Sequence, residues 1–160
     1  SIRYFISHEF SKFKPKNIII NKILREEKKF RLENPSTFKT FFNKINRQKI
    51  KLGLIIKKLK NNNKVIHGYG ASTKGNVLLQ YFNISKNHID FIADRNPKKF
   101  GFFTPGTKIK IISENKSRYL KPDYYLVLPW HFKKEIIKRE KAIIKKGTKF
   151  IFPLPNLIII

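Results

Sequence analysis

Residues 65–76, with the sequence VIHGYGASTKGN, combine a short apolar run, a turn between two glycines and the start of a predicted helix. Glycines let the backbone turn sharply and approach a ligand closely, and Ser72 or Thr73 can cap the helix. The N–H groups at a helix start attract anions, to which Lys74 adds a charge and Asn76 a neutral donor. The stretch therefore predicts either a phosphate-binding turn or an ordinary strand-to-helix turn of an α/β domain.

The glycine spacing differs from that of a dinucleotide-binding turn. That fingerprint requires a third glycine three residues after the second, but Thr73 occupies this position and Gly75 follows two residues later. The spacing argues against a standard dinucleotide site. This argument against a dinucleotide site gains weight when the turns after the other predicted strands are considered together with it.

Beyond this turn, short apolar runs alternate with amphipathic segments. Strands are predicted over residues 64–68, 88–94, 123–128 and 149–152, an extended run over 109–112, and helices over 72–82, 114–119 and 131–146. Strands that alternate with helices form a mostly parallel sheet with both faces covered. We therefore expect an α/β fold, a Rossmann-like mostly parallel sheet flanked by helices, with an N-terminal helical extension.

The extension contains the clearest helix of the chain. Apolar residues spaced by three and four predict a helix over residues 36–60, capped by Ser36 or Thr37, and a shorter helix is predicted over 21–32. The long helix is expected to pack on its own sheet, with partner binding as the alternative. Residues 2–6 alternate like a strand whose partners would lie upstream, and residues 8–20 read as a connection.

Composition limits the classes of function. The 160 residues suffice for one domain with a core, and the lack of any methionine indicates a piece of a longer polypeptide. Without cysteine, this piece cannot form disulfides, thiolate nucleophiles or cysteine zinc sites. A leader and an apolar run long enough to span a membrane are missing, so we expect a cytoplasmic location and no membrane partner.

The formal net charge is +26, which raises nucleic acid as a partner. The lysines, however, are spread along the whole chain, and Lys, Ile, Asn and Phe are in excess together, as AT-rich codons produce. Readers of nucleic acid favour the bidentate fork of arginine over lysine. We therefore attribute the charge to a solvated surface and expect no specific nucleic-acid partner.

Three turns at one edge of the predicted sheet carry the candidate binding residues. Ligands of open parallel sheets bind beyond the carboxyl ends of the strands, where the strand order switches. This rule selects residues 68–74, 94–97 and 129–131. All three turns have unusual compositions, so we expect them to form one site for an anionic ligand.

Each residue of these turns also has an ordinary structural interpretation. Asp94 is placed either to bind a ribose or to cap a loop, and Arg95 either to bind a phosphate or to form a surface ion pair. Trp130 can stack on a base or sugar, or pack in the core. His131 can donate a hydrogen bond to a ligand, whereas His67 is expected to be buried and hydrogen-bonded. Because no catalytic triad, metal cluster or carboxylate pair can be assembled, the sequence indicates binding more than catalysis.

Four segments carry a family resemblance: GYGASTKGN at 68–76, ADRNPKKFGFFTPGT at 93–107, PDYYLVLPWHF at 122–132 and GTKFIFPLP at 147–155. They resemble the C-terminal domain of the S-adenosylmethionine-dependent sugar C-methyltransferases, which methylate nucleotide-linked deoxysugars. The segment LREEKKFRLENPSTFKTFF at 24–42 resembles the entry to the same domain. The four motifs occur in the family order over nearly the whole chain.

The resemblance implies two further domains upstream. Members of this family have an N-terminal domain that binds zinc and a middle domain that holds S-adenosylmethionine and the catalytic histidine. Residues 1–4 resemble the continuation of the strand that follows the middle domain, so residues 1–20 are expected to be its end and a linker, and residues 21–160 the Rossmann-like C-terminal domain. We therefore expect no catalytic residue and no cofactor in this chain, and an inactive isolated chain.

The resemblance also implies a site for a nucleotide-sugar, resembling a dTDP-deoxysugar, at the three turns. The implied contact residues are Tyr69, Gly70, Ala71, Ser72, Lys74, Asn76, Asp94, Arg95, Asn96, Pro97, Pro129, Trp130 and His131. The expected partners are this substrate and an upstream methyltransferase domain, in the same or another chain. Two alternatives stay open: a fragment of a Rossmann-type NAD(P) oxidoreductase, for which Asp94 is well placed, and a basic nucleic-acid-binding module.

Overall fold

Six strands form one sheet in the computed structural model, which describes residues 3–160. The strands are β1 Ile66–Tyr69, β2 Phe91–Asp94, β3 Lys110–Ser113, β4 Tyr124–Val127, β5 Lys149–Phe152 and β6 Ile158–Ile159. Their order is β3-β2-β1-β4-β5-β6, and only β6 runs antiparallel to its neighbour among these strands. The chain builds outward from β1 to β3 and then returns to the other side of β1, so the order switches between β1 and β4. The predicted mostly parallel α/β sheet is confirmed.

The helices are α1 Asn17–Lys29, α2 Pro35–Asn61, α3 Thr73–Tyr81, α4 Glu114–Tyr119, α5 Lys133–Arg139 and α6 Lys141–Lys145, with short 3-10 helices at Pro97–Lys99 and Trp130–Phe132. Residues of α2 and α3 pack on one face of the sheet and residues of α5 and α6 on the other, so helices flank the sheet as expected. Alternate residues of each strand point to opposite faces. In β4 and the residue after it, Leu126 and Leu128 join an aliphatic cluster with α2 and α3, whereas Tyr125 and Val127 join an aromatic cluster with α5 and α6.

Two compact units divide the chain, one ending at Lys44 and one from Ile45 to Ile160. The first holds α1 and the start of α2, and none of its described residues is buried. In the second, Leu52 and Ile56 of α2 are buried in the aliphatic cluster, which confirms that this helix packs on its own sheet. The predicted domain boundary after residue 20 stays a prediction.

Several predicted boundaries near the N-terminus are wrong. Residues 3–6 do not form a strand, while Ser1 and Ile2 lie outside the described residues. Helix α1 begins at Asn17, inside the predicted connection. Helix α2 already begins at Pro35, and the Asn34 side chain accepts a hydrogen bond from the Ser36 amide at 2.9 Å, so Asn34 takes the capping position that was predicted for Ser36 or Thr37.

The predicted helix over 131–146 is broken in two. Glu140 leaves the helical conformation (φ −96°, ψ 14°) between α5 and α6, and its side chain turns into the sheet face. Helical periodicity continues on both sides of the break, so the pattern of isoleucines did not reveal it. The sequence also gave no prediction of β6, whose neighbour Ile160 exchanges backbone hydrogen bonds with Phe150 at the edge of the sheet.

Candidate functional site

The turn after β1 lies at the switch point of the strand order. Gly70 has a φ of +82°, and a Cβ atom there would lie 2.9 Å from the ring of Pro129, which follows β4. Only glycine meets both requirements without strain. Of the two predicted caps, Ser72 and Thr73, it is Ser72 that caps α3, by accepting a hydrogen bond from the Gly75 amide at 3.0 Å. The two turns that flank the switch point are therefore in close contact.

Gly75, the displaced glycine of the motif, serves the packing of helix on sheet. A Cβ atom at this position would lie 2.7 Å from Cβ of Leu128. The third glycine of dinucleotide-binding turns allows the same close approach of helix and strand. Gly75 therefore has the packing role of that third glycine, although it stands two residues later and the turn before it is different.

The Asp94 carboxylate fixes two of the turns to each other. Its Oδ2 atom accepts a hydrogen bond from the Ala71 amide and its Oδ1 atom accepts one from the Asn96 amide, both at 2.8 Å. Lys99 completes the contact, with Nζ 2.8 Å from the Ala71 carbonyl oxygen and 3.3 Å from Oδ2. Of the two sequence interpretations, the loop-capping one describes these contacts, because both carboxylate oxygens are engaged by the chain's own backbone.

A cavity of about 500 Å³ opens above these turns, in the range of small-molecule sites. Its lining residues are Tyr69, Gly70, Ala71, Ser72, Asp94, Arg95, Lys99, Glu114, Pro129, Phe132, Glu135, Ile136 and Arg139. We call this cavity the switch-point cleft. Among its lining residues, three acidic side chains face three basic ones, although the chain as a whole carries a net charge of +26. The cleft therefore suits a ligand that offers both anionic and neutral polar groups.

An ionic network around the buried Glu140 contributes Tyr69, Glu114 and Arg139 to the lining of the cleft. The Glu140 carboxylate, only 2% exposed, accepts hydrogen bonds from the Tyr69 hydroxyl at 2.6 Å and from Arg118 at 3.0 and 3.1 Å. Arg139 donates to Glu140 at 3.0 Å and to Glu114 at 2.9 Å, and also to the Tyr69 hydroxyl. Two guanidinium groups are thus paired with two carboxylates, and we call these five side chains the Tyr69–Glu140 network.

The contacts of the network fix the protonation states of Glu140 and Tyr69. Burial alone would raise the pKa of Glu140, but the hydrogen bonds from Tyr69 and Arg118 outweigh it and the pKa lies below its usual value. Burial, together with the hydrogen bond to Glu140, raises the pKa of the Tyr69 hydroxyl. Near neutral pH, Glu140 is therefore a carboxylate and Tyr69 a neutral hydrogen-bond donor.

A second polar chain lies on the same face of the sheet as Tyr69. Ser117 Oγ lies 2.8 Å from Nδ1 of His67 and 2.8 Å from the Tyr125 hydroxyl. Burial lowers the pKa of His67 to about 4, so the imidazole is neutral at physiological pH. His67 is buried and hydrogen-bonded, as the sequence indicated.

The structure brings together part of the predicted site. The residues of the predicted set that line the cleft are Tyr69, Gly70, Ala71, Ser72, Asp94, Arg95 and Pro129; Lys74, Asn76, Asn96, Pro97, Trp130 and His131 lie outside the lining. Trp130 packs partly against both core clusters, and Asn96 caps the 3-10 helix that begins at Pro97. Ligand contacts by any of these residues stay predictions.

Sequence reasoning missed the other side of the cleft. Glu114 directly follows β3, so the rule of strand ends could have selected it. Phe132, Glu135, Ile136 and Arg139 recur at spacings of three and four, which places them on one face of α5 and of the turn before it. That spacing was visible in the sequence. It is equally typical of a helix face that packs into the core, so it did not indicate a cleft.

Neither a metal-ligating cluster nor a membrane-spanning helix occurs among the described residues. Between residues 3 and 160, no group of three His, Cys, Asp or Glu side chains could hold a metal ion. Within the same range, no helix is long and apolar enough to cross a bilayer.

A parallel sheet of this strand order with a cleft at its switch point defines a Rossmann-like α/β domain. Residues 1–155 match the family model described as C-methyltransferase C-terminal domain, and the chain belongs to this family. It is also similar to the C-methyltransferase NovU of Streptomyces niveus, with 31% identity over 137 residues. That alignment covers 86% of this chain and 33% of NovU, so the chain spans about a third of the relative's length.

Proposed function

We propose that this chain is the nucleotide-sugar-binding domain of an S-adenosylmethionine-dependent sugar C-methyltransferase. In this role it holds a dTDP-keto-deoxysugar while residues of a preceding methyltransferase domain remove a proton beside the keto group and transfer the methyl group. The observation that carries the proposal is the switch-point cleft, whose balanced charge is unusual for so basic a chain. A nucleotide-sugar offers both the anionic and the neutral polar groups that such a lining can bind.

The diphosphate fits best at the turn between β1 and α3. The start of α3 and the Arg95 guanidinium both favour an anion there, and the helix start contributes about 0.3–1 kcal/mol. Arg95 is exposed at the cleft and has no ion-pair partner among the described residues, so its charge is available. Arg95 is therefore the cation that we assign to the diphosphate.

The zinc ion and S-adenosylmethionine of the family fit poorly on this chain. The chain has no cysteine, and residues 3–160 hold no metal-ligating group of three side chains. Both oxygens of Asp94, the acid at the end of β2, accept backbone hydrogen bonds, which disfavours the ribose contact of a dinucleotide or of S-adenosylmethionine. We therefore assign both groups, and the catalytic residues, to the preceding domains.

Ligand binding by the chain itself tests this proposal. We expect titration with dTDP to change the fluorescence of Trp130, which follows Pro129 of the cleft wall, whereas NADH produces no saturable change. Arg95→Ala should weaken dTDP binding about tenfold, the value of one charge-assisted hydrogen bond. The matched control is Arg47→Ala, which removes an exposed arginine of α2 outside the cleft lining.

Two results would contradict the proposal. If the chain bound NADH but not dTDP, the oxidoreductase alternative would replace it. If the chain alone transferred methyl groups from S-adenosylmethionine, the assignment of catalysis to a preceding domain would be wrong.

A further inference from the structure

The guanidinium group of Arg139 is held so that one edge remains available in the cleft. Its Nε and Nη2 atoms donate to Glu140, Glu114 and Tyr69. Within residues 3–160, Nη1 makes no hydrogen bond, and the side chain is 38% exposed where it lines the cleft. Because a guanidinium is planar and rigid, the contacts on one edge fix the direction in which the two Nη1 donors point.

The charge of Arg139 is already compensated. Arg118 and Arg139 share the two carboxylates of Glu114 and Glu140, so the network carries no net charge. An additional phosphate would add a negative charge beside two carboxylates, and like charges at this range repel. The Nη1 edge is therefore better suited to a neutral acceptor, such as a carbonyl or hydroxyl oxygen, than to a diphosphate.

The neighbours of Arg139 on the cleft wall offer complementary contacts to a sugar ring. Phe132 is 52% exposed and presents an apolar ring that can cover a deoxygenated carbon. Glu135 lines the cleft one helical turn from Arg139 and has no hydrogen-bond or ion-pair partner in the described part of the chain. Its carboxylate can accept hydrogen bonds from sugar hydroxyls.

We propose that the α5 wall of the switch-point cleft, formed by Phe132, Glu135 and Arg139, binds the uncharged sugar ring of the nucleotide-sugar, with Glu140 as the positioning residue that directs Arg139. This inference rests on the proposed function. It divides the cleft into a diphosphate side at Arg95 and a sugar side at Arg139. Glu140 touches no ligand and acts through the guanidinium that it orients.

Two probes that share the dTDP group, one with a free terminal phosphate and one with the sugar attached to it, separate the two sides. Calorimetric titration would compare dTDP with dTDP-4-keto-6-deoxyglucose, using wild type, Arg139→Ala and Arg95→Ala. We expect wild type to bind the dTDP-sugar more tightly than dTDP. Arg139→Ala should weaken binding of the dTDP-sugar about tenfold and leave binding of dTDP unchanged. Arg95→Ala should weaken both probes by the same factor, and Arg47→Ala neither.

Glu140→Gln tests the positioning role. The amide keeps the shape but loses the charge that orients Arg139, so the dTDP-sugar should bind several-fold more weakly and dTDP as before. A purely structural role would reduce both affinities together, or neither. Arg139→Lys keeps the charge without the Nη1 edge and should reproduce the selective loss; it serves in place of Arg139→Ala if that variant does not fold.

The outcomes separate this inference from the proposed function. If wild type bound neither probe, the proposed function itself would fail. If wild type bound both probes and the Arg139 variants weakened dTDP as much as the dTDP-sugar, Arg139 would be a diphosphate ligand and the division of the cleft would be wrong. Unchanged binding of both probes in these variants would remove Arg139 from the site altogether.

Discussion

The two faces of the sheet are both buried, but by different chemistry. The face under α2 and α3 is aliphatic, with Leu52, Leu79, Ile92 and Leu126 each 0% exposed. The opposite face, under α4, α5 and α6, packs the rings of tyrosine and phenylalanine against one another and contains the polar chain of His67 and the Tyr69–Glu140 network. One sheet therefore separates a non-polar layer from a hydrogen-bonded one.

The difference has a consequence for the cleft. Hydrophobic burial is non-directional, so the aliphatic face stabilises the fold without fixing the angle of any polar group. Hydrogen bonds and ion pairs require defined positions, and through Tyr69 and Arg139 those of the polar face reach the cleft wall. On the polar face, the same atoms contribute to stability and to the geometry of the site.

The largest expected effect is the loss of a side chain from the aliphatic face. Leu126→Ala leaves a cavity in the centre of that layer and should lower the free energy of unfolding by about 2–5 kcal/mol, measured by urea denaturation. The control Leu54→Ala changes a leucine of α2 that is 64% exposed and should alter stability by less than about 0.5 kcal/mol. Similar losses in both variants would contradict the burial of Leu126 in the aliphatic layer.

The second effect depends on pH and belongs to the polar face. Because the pKa of His67 is about 4 in the folded chain and near 6.5 when unfolded, only the unfolded state takes up this proton between those values. The stability contributed by neutral His67 is complete above pH 6.5 and falls by about 3 kcal/mol as the pH decreases to 4.

Urea denaturation of wild type and His67→Gln at pH 7 and pH 4 isolates this contribution. Other acidic groups titrate in both proteins, so the difference between the two pH dependences belongs to His67. Wild type should lose more stability than the variant on acidification. Equal losses would show that the imidazole is not buried as described.

The third effect tests whether the polar chain acts as a unit. Ser117→Ala leaves His67 and Tyr125 without their shared partner and should cost about 1–3 kcal/mol. Tyr125→Phe removes the other end of one hydrogen bond, so the double variant should cost less than the sum of the single ones. Tyr124→Phe is the matched control, since that hydroxyl makes no hydrogen bond with any described residue. Additive losses would argue against a coupled network.

Part of this fold could be predicted from the sequence. Short apolar runs such as that of β4, and glycine where the chain crosses from β1 to α3, are local signals, so the α/β sheet, a cap at Ser72 or Thr73 and the turns near the cleft were predictable. The break at Glu140 was not, because a carboxylate among lysines in an amphipathic helix looks solvent-facing until its partners on β1 and α4 are known.

The same limit applies to the site. Strand ends identify a sheet edge from local sequence, which is why Asp94 and Pro129 were found and why Glu114 could have been. Besides its neighbour Glu140, the Arg139 guanidinium is held by Tyr69 and Glu114, which are distant in sequence. The wall made by α5 therefore depends on tertiary contacts that have no local signal.

The smallest expected effect concerns the helix caps on the two faces. It tests whether the caps of α3 and α4 contribute equally to the free energy of unfolding. Ser72 caps α3 on the aliphatic face, with Oγ 3.0 Å from the Gly75 amide, and Ser113 caps α4 on the polar face, with Oγ 3.1 Å from the Lys116 amide. Capping is a local contact, so Ser72→Ala and Ser113→Ala should each lower the free energy of unfolding by about 1 kcal/mol, and Ser72→Gly by only a few tenths. Equal losses in urea denaturation would place the difference between the faces in the side chains that pack on the sheet. A much larger loss for Ser113→Ala would instead mean that the polar network depends on the position of α4 itself.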